Sequence, residues 1–420
     1  MTARERVKLA LDHKEPDRVP IDFGGTRQTS IHIFAYNELR KQINLSRGLP
    51  KLFDFVDQLA LPEIEIMDYL QTDVINIAHS FLKSDQDWKE FIIPNGNIKC
   101  LIPKYLDKLS DFVIAIDKDL TVLVKYKDGT ILGKMPKSSS YVDPTYWPYG
   151  NMQKLPGVFK DEDRKKILWE VPIVDSHLDL LNRKVYKSMA DDIRNLYENQ
   201  DRAIIYFIGG SLFSAPASYR KEDNFYCDLY LDKKGVMRVV NKLLDDYLKD
   251  IERVLKSVGE YIEAVHFFDD FGSQRSLIIP PEKYREIFKP GHKKMWDYIH
   301  ENSNCKVLYH SCGSIYHIIP DLIDAGMDIL NPVQISATNM EPEKLKKEFG
   351  KYISFWGGGC DSKILAFGSL KEIKEEVKKN IDIFNKGGGF VFAPILTITP
   401  EVPPKNIIAM YESAFEFGFY

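Results

Sequence analysis

Residues 305–334 read CKVLYHSCGSIYHIIPDLIDAGMDILNPVQ, and this stretch decides the fold. Its opening run, CKVLYHSC (305–312), is apolar almost throughout, as in a strand covered on both faces. Residues 315–325 then follow a helical pattern, and DILNPVQ (328–334) is a second β-rich run. Strand, helix and strand within thirty residues make a parallel unit with the helix packed over the sheet. Outward from it the same alternation continues. Further β-rich runs are AIIYFIGG (203–210), EAVHFFDD (263–270), YISFWGGGC (352–360) and GGFVFAPIL (388–396), with helical stretches at 232–258, 281–303, 341–349 and 369–386. Upstream lie RVPIDFGG (18–25) and TDVINIA (72–78). Eight such runs predict an α/β fold, a (β/α)8 TIM barrel.

One region breaks the rhythm. Within residues 80–155, LTVLVKYKDGTILGK (120–134) predicts a β-hairpin turning at Asp128-Gly129, and the Pro- and aromatic-rich YVDPTYWPYGNM (141–152) follows. This stretch lacks the apolar periodicity to fold alone. The expectation is one barrel domain over residues 1–420, with an insertion or cap at about 80–155.

Composition bounds the function. With 44% hydrophobic and 28% charged residues the chain is globular. A net charge of −4 and no long basic run exclude a protein that tracks nucleic-acid phosphates. No apolar run approaches the roughly 18 residues of a membrane span. The start, MTARERVKLALDH, is charged and helix-like and lacks the apolar core of a secretory signal. Five cysteines, at 100, 227, 305, 312 and 360, are too few and odd in number for a disulfide framework, so a reducing cytoplasm is expected.

The strongest chemical signal is His310-Ser311-Cys312 at the end of one strand run and Cys360 at the end of another. Residues i and i+2 of a strand share a face, so His310 and Cys312 can present an imidazole and a thiolate to one point. Parallel strands open their C-terminal ends onto the same barrel mouth. Gly357, Gly358 and Gly359 allow close backbone approach before Cys360. Two cysteines and a histidine with one open position is a pattern of catalytic zinc. Taken singly, a cysteine on an apolar strand is more often a small buried hydrophobe. Cys100, Cys227 and Cys305 are read that way, and Cys305 begins its strand, at the far end of the barrel.

Other candidates gather at strand ends. In HFFDDFGSQ (266–274), Asp269 and Asp270 are candidates for acid–base work, for substrate binding or for supporting a metal ligand; only one of the adjacent pair can face into the barrel. The second of them, Asp270, is equally a loop turn or helix N-cap. Gln274, Asn331 and Gln334 are candidate polar groups of a pocket, or simply partners for the backbone. Tyr146, Trp147 and Tyr149 could wall an aromatic or cationic substrate, or pack the insertion onto the barrel. The charge-rich runs at 344–351 and 370–379 are solvated helix faces, and His292 and His317 fall on helices with no assigned role. There is no Walker loop, GxGxxG, GxSxG or HExxH, and the nearest approach to Asp-x-His-x-x-Gly, Asp175-Ser176-His177, runs into Leu180.

Along nearly its whole length the chain resembles the uroporphyrinogen decarboxylase superfamily. The stretches that carry the resemblance are 2–25, VHFFDDFGSQRSLIIPPEKYREIFKP (265–290), YHSCGSIYHIIPDLIDAGMDILNPVQ (309–334), FWGGGCDSKILAFGSLKEI (355–373) and residues 387–414. The resemblance implies a barrel of the uroporphyrinogen decarboxylase-like type. Its decarboxylases need no metal and grip porphyrinogen carboxylates with an Arg-Gln-Ala-Gly-Arg segment. Here GGTRQTSIHIF (24–34) keeps Arg27-Gln28, with Arg27 a candidate substrate-binding residue, but lacks the second arginine. Leu396 stands in APILTIT where decarboxylases and many relatives carry a histidine.

A second branch, the corrinoid-linked methyltransferases, carries a zinc motif of His-x-Cys and a distant Cys, which His310, Cys312 and Cys360 match. The resemblance implies Zn2+ held by these three. It also implies methyl transfer between a small donor (a methoxylated aromatic, methylamine, methylthiol or similar) or a thiol acceptor and the cobalamin of a separate corrinoid protein. The zinc would activate a thiol or polarise the heteroatom that bears the methyl group. Two alternatives stand beside this reading: a metal-free decarboxylase of a tetrapyrrole, and a barrel that only binds a ligand or a corrinoid protein.

Overall fold

Seven strands form one parallel sheet in the order of the chain: Val74–Ile75, Ala203–Gly209, Ala264–Phe268, Lys306–His310, Ile329–Asn331, Ser354–Trp356 and Phe390–Val391. The computed structural model describes residues 1–44, 48–104, 106, 112–157, 159–170 and 183–420, so the Asp175-Ser176-His177 run lies outside the described residues. Register runs Phe268↔His310 and His310↔Asn331 across the middle of the sheet, which levels the ends of three strands. Residues 20–22 take the eighth place. Asp22 N–H donates to Phe392 (2.8 Å), Phe392 N–H donates to Pro20 (2.8 Å), and Asp73 N–H donates to Ile21 (2.7 Å), so the last and first strands are joined through this segment. The sheet thereby closes on itself as a (β/α)8 barrel, and all eight runs anticipated from the sequence line it.

Strand alternation sorts the side chains. Val265, Phe267, Val307 and Tyr309 face outward into the helical layer, where Phe267 and Tyr309 both lie against Trp296 of the helix Lys289–Asn302. Ala264, Leu308, Ile329, Trp356 and Val391 face inward and share one apolar cluster with Val7 and Leu11 of the N-terminal helix Ala3–Leu11. That helix plugs the end where the strands begin, as the contacts Arg4 N–H to Asp201 (2.6 Å) and Lys306 to Asp12 (3.1 Å) show. The opposite end, where strands finish, stays open. The 26-residue helix Lys233–Val258 forms because Val236, Val239, Val240, Leu243, Leu244, Tyr247, Ile251 and Val254 recur at helical spacing, and this stripe is buried against the barrel.

The insertion is antiparallel. A hairpin pairs Trp88–Ile93 with Ile98–Pro103, and a four-stranded sheet joins Phe112–Ile116, Val122–Tyr126, Ile131–Met135 and Asp143–Pro144. The turn between its second and third strands falls at Asp128-Gly129, where Gly129 takes φ +89° and the Asp128 carboxylate accepts from Thr130 N–H at 2.9 Å. The insertion is tied to the barrel by backbone bonds from Val142 to Val56 (3.1 Å) and from Tyr149 to Tyr219 (2.9 Å). Among the described residues no helix is long and apolar enough to cross a membrane.

Closure rests on a buried carboxylate. Asp73 accepts from Arg6 at 2.6 Å, from Arg18 at 2.6 and 3.2 Å, and from Ile21 N–H at 2.8 Å. Arg18 also holds the carbonyl of Gln71 (3.0 Å), so the N-terminal segment and the first strand are locked where the barrel must meet. A buried ion pair adds little net stability, but removing one partner strands the other charge. Asp73→Ala is therefore expected to cost about 3–5 kcal/mol, measured as a lowered urea midpoint by circular dichroism.

Candidate active site

The site is assembled at the open end by three adjacent strands. His310 is the last residue of its strand and shares the inward face with Leu308. Its Nδ1 lies 2.6 Å from Asn331 Oδ1, and Asn331 Nδ2 donates to the Trp356 carbonyl at 3.0 Å. The second bond fixes which way the amide points. Asn331 Oδ1 then faces His310, Nδ1 carries the proton, and the Nε2 lone pair is left for the cavity. Nε2 sits 3.3 Å from Cys312 Sγ and 3.9 Å from Asp270 Oδ1. One donor atom from each of Asp270, His310 and Cys312 lies within 4.8 Å of the other two, a spacing that a metal ion can bridge. Burial pushes the His310 imidazole below its ordinary pKa. Burial and then the charge of Asp270 push the Cys312 thiol up. A bound cation would reverse the second effect.

Asp269 and Asp270 point in different directions, as strand alternation requires. Asp269 is fully buried. It accepts from the Ser211 hydroxyl, from the backbone N–H groups of Leu212 (3.0 Å), Phe213 (2.9 Å) and Ser214 (2.7 Å), and from His292 Nε2 (3.1 Å). Since a carboxylate offers only acceptors, His292 carries its proton on Nε2, and Nδ1 accepts from the Tyr284 hydroxyl at 3.2 Å. Asp270 turns toward the cavity and accepts from Cys312 N–H at 2.8 Å. The loops bearing these residues cross at two glycines. A Cβ on Gly313 (φ +81°) would sit 2.5 Å from the Gly272 carbonyl carbon, so side chains larger than hydrogen would push Asp270 and Cys312 apart.

Above this cluster lies a cavity of about 620 Å3. His310 and Asp270 form its polar floor, and Phe207, Tyr219, Tyr226, Tyr247, Phe268 and Trp169 supply aromatic wall. Phe268 stacks on His310 with centroids 5.6 Å apart. Arg27 and Gln28 line the far side. The Arg27 guanidinium binds Asp54 and, at 2.7 Å, Asp57, whose carboxyl burial pushes up to about 6.

The remaining candidates fall as follows. Cys360 is buried on the loop after Ser354–Trp356; its sulfur faces the Asp361 carbonyl at 3.7 Å and lies outside the group formed by Asp270, His310 and Cys312. Gly359 sets its backbone hard against Phe392, where a Cβ would meet the ring at 2.4 Å. Gln334 spends its amide oxygen on Gly313 N–H (2.7 Å), which braces the glycine crossing. Gln274 is exposed and does not line the cavity, because its loop turns outward after Phe271. Tyr149 is buried inside the insertion with its hydroxyl on Asp163 (2.7 Å), and Trp147 lines a smaller adjoining pocket. Cys100 and Cys305 are buried, whereas Cys227 is exposed on the helix Glu222–Leu231, so it is not the core residue anticipated. His292, given no role from the sequence, is the partner of Asp269; only its one-turn offset from the buried Trp296 and Met295 hints at that position. His266 also went unassigned. It is buried inside the barrel below His310, ring centroids 6.2 Å apart, with no hydrogen-bond partner for either nitrogen among the described residues.

The Asp269 cradle predicts an order of cost. His292→Phe removes one donor of five and is expected to cost about 1–3 kcal/mol, while Asp269→Asn turns an amide N–H against backbone donors and costs more. Urea midpoints of the two variants measure the order, and equal midpoints would contradict it.

Among solved structures, a methyltransferase from Methanosarcina mazei superposes with a TM-score of 0.57 at 16% identity, covering 99% of both chains. A GH10 endoxylanase from a sugarcane soil metagenome gives 0.35 at 9% identity over 57% of this chain and 87% of its own. A D-psicose 3-epimerase solved with D-fructose gives 0.30 at 12% identity over 56% of this chain and 80% of its own. At these identities the first match shows the shared fold. No curated protein matches the chain by sequence. The family model for uroporphyrinogen decarboxylase (URO-D) matches residues 176–417, more than half of the chain and all but two of its barrel strand runs, so the chain belongs to the uroporphyrinogen decarboxylase family.

Proposed function

We propose that the chain is a zinc-dependent methyltransferase that moves a methyl group between a small donor, or a thiol acceptor, and the cobalamin of a separate corrinoid protein. The observation that carries this reading is the His310 tautomer. Asn331 holds the proton on Nδ1, so Nε2 is an unprotonated ligand aimed at Cys312 and Asp270 on the cavity floor. A nitrogen, a sulfur and a carboxylate oxygen at mutual ligand spacing suit zinc, which favours such mixed sets. His310 and Cys312 would hold the ion, with Asp270 or Cys360 as the third protein ligand. Zinc bound there would supply Lewis acidity to a thiol or to the heteroatom that carries the methyl group.

This chain's residues do the rest. Asn331 orients the imidazole, Asp269 fixes the backbone from which Asp270 projects, and the aromatic wall lines the approach to the floor. Residues 1–420 act as one barrel domain in this reading, with 80–155 as its cap, and the protein works in the cytoplasm. The structural relative that matches over nearly the whole chain, a methyltransferase, supports transfer over decarboxylation. So does Arg27, whose charge is already matched by Asp54 and Asp57 instead of standing ready for substrate carboxylates. Leu396 lines the cavity where a decarboxylase would place a histidine.

Metal analysis tests the reading. Purified protein is expected to hold close to one zinc per chain, His310→Ala and Cys312→Ser to lose it, and Asn331→Ala to weaken zinc affinity about 10–100-fold. Asp270→Asn against Cys360→Ser identifies the third ligand. Zinc content that is absent in the wild type, or unchanged in the His310 and Cys312 variants, sinks the proposal. Chelator-indifferent turnover of uroporphyrinogen would establish the decarboxylase instead.

A further inference from the structure

We propose that the strand Phe112–Ile116 of the insertion is a contact surface for a second copy of this chain, the two copies joining antiparallel, edge to edge, about a two-fold axis at Ile114. This goes beyond the metal site and does not depend on it. The four-stranded sheet of the insertion runs in the order Asp143–Pro144, Ile131–Met135, Val122–Tyr126, Phe112–Ile116, so the last strand is paired on one side only among the described residues. No backbone hydrogen bond among the described residues reaches its other side. Backbone groups left open along a sheet edge are a template on which another strand can form.

The two edges of this sheet are finished differently. One is the two-residue strand Asp143-Pro144, which is short, carries a charge and lacks one N–H, three features that discourage a further strand. The other is Phe112-Val113-Ile114-Ala115-Ile116, with no charge, no proline and no bulge in its register against Val122–Tyr126. Phe112, Ile114 and Ile116 lie opposite Tyr126, Val124 and Val122, which belong to the buried core, so this row faces inward. Ile116 is nevertheless 47% exposed, and Val113 on the other face is 51% exposed. The turn that follows adds Leu120, 41% exposed and at φ +67°, where glycine or asparagine would be easier.

A second copy is the occupant that suits this edge. In antiparallel pairing centred on Ile114, Ile114 meets the partner's Ile114, Val113 the partner's Ala115 and Phe112 the partner's Ile116. Residues directly opposite share a face, so the inward apolar row continues across the axis and no charge is set against it within the five residues. The contact is isologous, each edge supplying what the other needs. Strands of five residues make a small contact, below the roughly 1,200 Å2 of a standard interface, so the association is weak and depends on concentration.

The test is sedimentation velocity of the full chain from about 1 to 200 μM, with circular dichroism to confirm the fold of each variant. The average mass is expected to rise from that of one chain toward that of two. Ile116→Lys and, on the other face, Val113→Lys are each expected to raise the dimer Kd at least about tenfold, because a charge is set into the new pairing. A second measurement fixes the register. With the exposed Cys227 replaced by serine, Ile114→Cys is expected to crosslink to its own copy when oxidised with diamide. A mass that stays at one chain throughout overturns the proposal. So does a dimer that both lysine variants leave unchanged, or one that does not crosslink at Ile114.

Discussion

Everything at the mouth of this barrel depends on one buried carboxylate, Asp269, which collects five donors from two directions. Three are successive backbone N–H groups, of Leu212, Phe213 and Ser214, which would otherwise be orphaned at a buried turn. One is the neighbouring Ser211 hydroxyl, and one is an imidazole from the outer helical layer. The carboxylate therefore joins the loop after the second strand of the sheet, the end of the third, and a helix outside both. Asp270 is the next residue, and its N–H donates to the Ser214 hydroxyl at 3.1 Å. Once Asp269 is fixed, Asp270 has one direction left, which is toward Cys312 and His310.

The same logic explains why two adjacent acids differ in role. A strand end presents alternate faces, so the pair cannot both enter the cavity. The outward-facing member is buried against helices and must be satisfied by neutral donors. The inward-facing member is left to meet solvent, substrate or metal. His292 serves the first requirement through a chain that begins at Tyr284, whose fully buried hydroxyl is held neutral well above its ordinary pKa and so remains a donor. Tyr284 opens a five-residue π-helical turn, Tyr284–Phe288, just before the helix that carries His292. The wide turn shifts the helical register between the two residues, a device common near functional sites.

The sequence made the barrel legible because its signals are repetitive. Apolar runs followed by amphipathic helices recur often enough that a single misread run would not change the answer, and 305–334 alone contains the repeating unit. His310 and Cys312 were legible for a local reason: a spacing of two on a strand fixes a shared face. Cys360 was harder to place, because it follows three glycines, two at φ +104° and +76°, and a chain that can turn freely gives no direction to the next side chain. Gln274 was equally hard to place, since it lies beyond a strand, where alternation no longer applies. His292, Phe207 and Tyr226 carry no motif. Their positions follow from helix packing and strand register across more than 50 residues of chain, information that no local window contains.

The two ends of the barrel divide the work by how they are bound. The closed end and the seam are held by charge and by the apolar plug of Val7 and Leu11, with Asp73 between Arg6 and Arg18 leaving no slack where residues 18–22 meet the first strand. The open end is held by uncharged donors gathered on the Asp269 carboxylate and by glycine crossings, and these fix positions without filling space. A divalent ion is best served by that second arrangement, because a cationic partner nearby would compete with it for Asp270. Arg27, which lines the far side of the cavity, is instead matched by Asp54 and Asp57, and the polar floor is left to His310 and Asp270. Chemistry is thus set by the rigid strand ends, while the shape of the cavity is set by the residues above them, among them Ile167, Trp169, Tyr219 and Tyr226, which can vary without disturbing the floor.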